Sequence, residues 1–267
     1  MLKVDSWRDM YNMTRIRVYS DKIYALWLRE VKVFFREKSR LVASTFTPLL
    51  WLFVIGSGFS SSTSIAHSID YQKFIFPGII CMSVVFSAVF FGSYIIWDRK
   101  FDFLKSVMVA PVSRSTIFTG KAFGGMTNSL IQVSILLVVG LIIGVQFSPL
   151  ALVQTVVIVL LLSFALTSLG LTLGSYMTSL EGFQMIISFV VFPLFFLSGA
   201  LFPIDKLPQW LSVLTTVVPV TYAVDALRNI ILGIGSHPLG LDLLVLLLYS
   251  CVLGALGTYS FRRMKAV

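Results

Sequence analysis

Charge is what this sequence has least of. Only 12% of its 267 residues are Asp, Glu, Lys or Arg, while 57% are apolar; ordinary soluble domains carry about 25% charged residues. That excludes a water-soluble domain and points to an integral membrane protein, whose spans each need roughly 20 consecutive apolar residues. Cysteine is scarce too: Cys81 and Cys251 each sit within an apolar run, so no disulfide framework is expected. The two histidines, His67 and His237, fall in connecting loops, and no His, Cys, Asp or Glu cluster has metal-ligand spacing. Neither a catalytic nor a metal site is expected. The phosphate-cradling pattern G-x-x-x-x-G-K-[ST] is missing, because Gly120-Lys121 is followed by Ala122 where a hydroxyl is needed. Any ATP must therefore be bound by another polypeptide. No acidic or basic side chain falls in the middle of an apolar run, where ion- and proton-coupled transporters keep one. The charge-dense N-terminus shows no apolar h-region with a cleavage site, so no cleavable signal peptide is expected.

The few charges are sorted by place. Of 21 Lys and Arg, ten lie in residues 1–40, five between Arg99 and Lys121, and three at Arg262, Arg263 and Lys265. Bases clustered in short loops mark the cytoplasmic side. The net charge of +9 thus reads as a topology signal facing anionic lipid, not as a nucleic-acid surface. Both termini are expected in the cytoplasm, with the chain a multi-pass protein of the cell (inner) membrane.

Apolar runs predict six spans, near 41–60, 74–97, 123–145, 150–177, 183–203 and 242–261. The uncharged run 122–180 is too long for one span and breaks at Gln146-Phe147-Ser148-Pro149, where proline starts a helix more readily than it continues one. The segment 207–224 is ambiguous. Pro208 and Pro219 interrupt it, Trp210 suits a membrane–water boundary, and a seventh span would put the two basic termini on opposite sides. It is expected to dip into the outer leaflet and return.

Ahead of the first span, residues 22–38 form an amphipathic helix. Ile23, Tyr24, Trp27, Leu28, Val31, Phe34 and Phe35 share an arc of about 140°, opposite Lys22, Arg29, Lys32 and Arg36. Glu30 and Glu37, seven apart, lie on one flank. Such a helix lies in the membrane surface plane, and Arg29, Glu30, Arg36 and Glu37 could also meet a cytoplasmic partner. A second short helix is predicted in the internal loop 97–121: Phe103, Leu104, Val107 and Met108 recur at helical offsets, and Ala110-Pro111 stops it. It reads either as a lever held below two spans or as a surface helix resting on lipid. Gly120/Gly124, Gly140/Gly144 and Gly170/Gly174 fit close helix packing. Phe90-Phe91 and Phe195-Phe196 are candidates to line a path.

The run Leu104 to Lys121, LKSVMVAPVSRSTIFTGK, resembles the first cytoplasmic loop of ABC-2 type transporter permeases. The run LSGALFPIDKLPQWLSVLTTVVPVTYAVDALR, residues 197–228, is similar to that family's signature before its last span. The resemblance covers nearly the whole chain, and it implies a fold and a role. The fold would be an all-α membrane protein with six transmembrane helices. Residues 1–40 would carry an interface helix, 41–261 the transmembrane domain with a coupling loop at 98–121 and an outer re-entrant segment at 204–232, and 262–267 a basic cytoplasmic tail.

The role would be the permease subunit of an ATP-driven exporter of a hydrophobic drug, lipid or lipid-linked glycoconjugate; the alternative is a passive channel or scaffold. This chain would bind no cofactor, and ATP and Mg would sit on a cytoplasmic ATPase present in two copies, beside a second, identical permease chain. Asp98, Asp102, Phe103, Leu104, Lys105, Val107, Met108, Ala110, Pro111 and Arg114 would couple to the ATPase. Pro219, Tyr222, Asp225 and Arg228, spaced by three on one helix face, read as a local Asp225–Arg228 ion pair or as the latch of an outer gate.

Overall fold

The computed structural model describes residues 3–60, 71–109, 112–202 and 208–264. Twelve α-helices and one π-helical turn carry almost all of these, and no strand occurs among the described residues. Helix α1 (Lys3–Arg36) is followed by α2 (Lys38–Leu50), a π-turn at Trp51–Ile55 and α3 (Gly56–Ser60). The π-turn follows Pro48, which has no N–H to give to the helical ladder. Next come α4 (Tyr71–Phe90), α5 (Ser93–Lys100) and α6 (Phe103–Val109), then the long helices α7 (Arg114–Ile142) and α8 (Pro149–Tyr176). The last four are α9 (Leu180–Phe196), α10 (Gln209–Val217), α11 (Pro219–Leu232) and α12 (Leu239–Arg263).

Local chemistry sets these boundaries. Ser113, Ser148 and Ser179 cap α7, α8 and α9, each accepting from the backbone N–H three residues on. Pro149 occupies the first position of α8, where its missing donor costs nothing. Helix α11 ends at Gly233, whose φ of +71° favours glycine.

Among the described residues, five helical segments are long and apolar enough to span: 41–58, 71–100, 114–142, 149–176 and 239–263. Helix α9 is apolar but has 17 residues, about 25 Å at 1.5 Å per residue, and ends at Phe196 rather than continuing to residue 203. Helices α10 and α11 meet at 91°. Residues 204–207, the start of the expected dip, lie outside the described part.

The central mast is α4. Its apolar window is 83% buried, and it packs against α7, α8, α9 and α11. Its line breaks at Gly92, where the backbone of α8 passes so close that a Cβ would stand 2.0 Å from the Gly170 carbonyl oxygen. Gly174 presses on the Gly92 carbonyl in the same way, at 2.4 Å. These glycines serve helix packing within one chain. Helix α12 runs along α8, and α1 runs along α7.

Candidate functional site

At the end of the bundle that carries the basic loop, α1 meets α7 over Gly120 and Gly124. A Cβ at Gly120 would lie 2.7 Å from Leu26 Cβ, and one at Gly124 2.6 Å from Glu30 Cβ, closer than side chains can approach. This contact delivers Glu30 to Lys121: Nζ and Oε1 are 2.8 Å apart and both side chains are 1% exposed. Asp98 of α5 closes on Lys121 from the other side. Arg29 then completes the ring, donating from Nη2 to Asp98 at 2.6 Å and from Nη1 to Glu30 at 2.8 Å. Burial alone would pull the Arg29 pKa down, but Asp98 and then Glu30 outweigh it and hold it above its ordinary value. Two bases and two acids from three helices therefore form one knot, buried at Glu30, Asp98 and Lys121 and partly exposed at Arg29. Glu30 and Asp98 lie inside the chain, not on an outer flank.

The fold turns α1 by about one residue from the expected apolar arc. Phe34 is buried and Trp27 Nε1 donates to Thr127 Oγ1 at 2.8 Å, while Tyr24 and Phe35 face outward. Arg36 is exposed, and Glu37 accepts from the Tyr94 hydroxyl at 3.0 Å.

Helices α5 and α6 form a hairpin hung on this knot. Asp102 makes the turn with φ +56°, a conformation that Asp tolerates better than most residues. The Arg29 guanidinium stacks 3.5 Å over the Phe103 ring. Leu104 is 2% exposed, in a cluster with Phe91, Ile117, Phe118 and Phe261, and Val107 packs against it. Among the described residues, the hairpin presents outward Phe101, 70% exposed, and Val109, 89% exposed, with Lys100 and Asp102 beside Phe101. The side chains of Lys105 and Met108, and residues Ala110 and Pro111, lie outside the described part.

Two arginines fasten the hairpin's neighbours. Arg99 donates to the Met177 and Ser175 carbonyls at 2.7 and 3.0 Å, at the end of α8. Arg114 donates to the Arg262 carbonyl at 2.9 Å and to that of Met264, at the end of α12. Each guanidinium thus satisfies orphan carbonyls at a helix C-terminus.

A cavity of about 480 Å³ opens between α2, α4, α7 and α9, above the knot. Phe34, Met82, Phe86, Phe90 and Trp97 form its apolar wall. Ser44, Ser87, Asn128, Gln132 and Gln184 supply neutral polar groups, and no charged side chain lines it among the described residues. Gln132 is fixed between Ser83 at 3.2 Å and Ser44 at 3.0 Å. Asn128 Oδ1 meets no hydrogen-bond partner among the described residues. Such a wall suits an amphiphile with uncharged hydrogen-bonding groups.

At the opposite end, α11 is buried from Pro219 to Arg228 except at Tyr222. Pro219 sits in its first turn, and the Tyr222 hydroxyl donates back to the Thr216 carbonyl at 2.9 Å, across the bend. Asp225 accepts from the backbone N–H of Ser236 at 2.9 Å and of His237 at 2.8 Å, and its Oδ2 lies 3.2 Å from His237 Nδ1. Arg228 donates to the Gly199 carbonyl at 3.1 Å and stacks 4.0 Å over Phe74. The contacts of Asp225 and Arg228 thus run to different partners. Asp242, in the first turn of α12, is fully buried, and neither carboxylate oxygen has a hydrogen-bond partner among the described residues.

Lys121, Arg99, His237 and Asp242 carry these arrangements, and none was a candidate in the sequence. The usable signal was Lys121, a base between Gly120 and Gly124 at the edge of the uncharged run 122–180.

Residues 21–232 match the ABC-2 type transporter family. A protein of Porphyra purpurea named as a transport permease, ycf38, is 32% identical over 224 residues, 80% of this chain and 76% of that one. The Escherichia coli inner membrane transport permease YadH is 26% identical over 226 residues, 84% and 88% of the two chains. Nodulation protein J of Rhizobium leguminosarum bv. viciae is 24% identical over 218 residues, 81% and 84%.

Proposed function

The chain belongs to the ABC-2 type transporter family, and from that premise we propose that this multi-pass transport permease is the membrane half of an ATP-driven exporter. The observation that carries the reading is the α5–α6 hairpin. Its inner face is locked to the bundle by Leu104 and the Arg29–Phe103 stack, and its outer face offers Phe101 and Val109 to a partner. A rigid lever with an apolar tip is what a separate, nucleotide-driven subunit needs in order to move the spans. In this proposal two ATPase copies hold ATP and Mg, and both termini and the hairpin face the cytoplasm. A second copy of this chain lies against the exposed apolar faces of α2 and α9, and the 91° α10–α11 pair dips in from the outer side.

The cargo is taken to be a hydrophobic drug, a lipid or a lipid-linked glycan that enters the cavity between α2, α4, α7 and α9. Closure of the ATPase pair around nucleotide would swing the hairpins and open the cavity outward. The test is extraction of the chain in mild detergent from its native membrane. An ATPase with a phosphate-binding loop should co-purify, and it should be lost from the double variant Phe101→Asp, Val109→Asp. A chain that purifies alone under conditions that preserve other membrane complexes would favour a channel or scaffold instead.

A further inference from the structure

Asp225, His237 and Asp242 are 12 and 5 residues apart in sequence, yet each offers a ligand atom within 4.8 Å of the other two. We propose that these three side chains bind a single divalent transition-metal ion, with zinc the best fit, joining α11, the loop after it and α12 at the end opposite the buried knot.

The orphaned carboxylate of Asp242 is the starting point. It is 0% exposed, and both of its oxygens lack a hydrogen-bond partner among the described residues. An ionised carboxylate taken out of water without partners costs several kcal/mol. A second acid, Asp225, is also buried and lies in the same cluster. A divalent cation would neutralise both charges at once and supply Asp242 with the partner that no described residue provides.

Geometry agrees. A tetrahedral ion about 2.1 Å from each ligand holds its ligands about 3.4 Å apart. His237 Nδ1 and Asp225 Oδ2 already stand at 3.2 Å, and drawing Asp242 in from within 4.8 Å asks for a shift of about 1.4 Å at most. One imidazole with two carboxylates is a donor set that suits zinc and its neighbours better than magnesium or calcium, which take oxygen alone. Second-sphere support is in place, since the backbone N–H groups of Ser236 and His237 donate to Asp225 and orient it. The His237 side chain is 36% exposed, which leaves an entry path and an open fourth position for water.

The proposal is independent of the transport reading, and so is its test. The full chain, purified without a histidine tag and stripped with chelator, is titrated with zinc. Bound metal is counted, and thermal unfolding is followed alongside. About one zinc per chain is expected, with a rise in melting temperature. His237→Ala and Asp242→Asn should each weaken binding at least tenfold and remove the thermal shift, whereas substitution of the other histidine, His67→Ala, should leave both unchanged. His237 is partly exposed, so its variant tests binding in a chain that still folds. Uptake well below one ion per chain, or uptake unaltered by His237→Ala, would overturn the site.

Discussion

Lys121 and Glu30 lie 91 residues apart in sequence and 2.8 Å apart in the fold, with both side chains sealed from solvent. Removing one partner of such a pair leaves a buried charge uncompensated, at a cost of about 3–5 kcal/mol. Lys121→Met should therefore lower the melting temperature of the purified protein sharply, because Glu30 and Asp98 both lose a cation. The double variant Lys121→Met, Glu30→Leu should recover part of that loss. If Lys121→Met melts like the parent, the knot is not holding α1 to the bundle.

Gly124 sets the same contact by sterics. With Glu30 Cβ 2.6 Å from any added Cβ, Gly124→Val should push α1 away at a cost of about 1–3 kcal/mol. Trp27, hydrogen-bonded to Thr127, reports the separation. Its fluorescence should become more open to an aqueous quencher in the variant, and unchanged quenching would refute the close approach.

The hairpin separates contact from scaffold. Phe101→Asp and Val109→Asp alter exposed side chains and should shift stability by no more than about 0.5 kcal/mol while abolishing ATPase co-purification. Leu104→Asp places a charge in a buried cluster and should instead destabilise the chain itself. Loss of partner binding in a Leu104 variant would thus say little about the interface; the exposed positions decide it.

The cavity can be filled without touching its hydrogen bonds. Ala43 lines it and is exposed to it, so Ala43→Trp should leave the purified complex intact and its melting temperature within a few degrees. Transport measured in vesicles should fall by at least tenfold. Undiminished transport would move the path elsewhere.

Much of the architecture was legible in the sequence because hydropathy and helix punctuation are local. Ser148-Pro149 marks the start of α8, and the apolar runs locate the long helices to within several residues. Contacts made at a distance were harder to read. Glu30 looked like a flank residue because an isolated helical arc cannot show that Gly120 and Gly124 will admit it. Arg114 reads as a coupling residue and Arg99 as a base marking the cytoplasmic side; their carbonyl partners at the ends of α12 and α8 lie 148 and 78 residues away and leave no local signal. Asp225 and Arg228 share a helix face as expected, but their described contacts run to Ser236 and His237 for the one and to Gly199 and Phe74 for the other. The grouping of Asp225, His237 and Asp242 depends on the turn at Gly233, and spacing alone does not reveal it.

The knot of Arg29, Glu30, Asp98 and Lys121 contains two charges of each sign. Docking α1 therefore carries no net charge out of water, and the buried Lys121–Glu30 pair is screened little by dissolved salt. Attraction of the exposed Lys32 and Arg36 to anionic headgroups, expected of a helix lying on the membrane surface, would in contrast weaken over a Debye length of about 8 Å at physiological ionic strength. On that expectation one helix would have two attachments with different responses to electrolyte. Concentrated salt should loosen its hold on the lipid surface and leave it fastened to the protein.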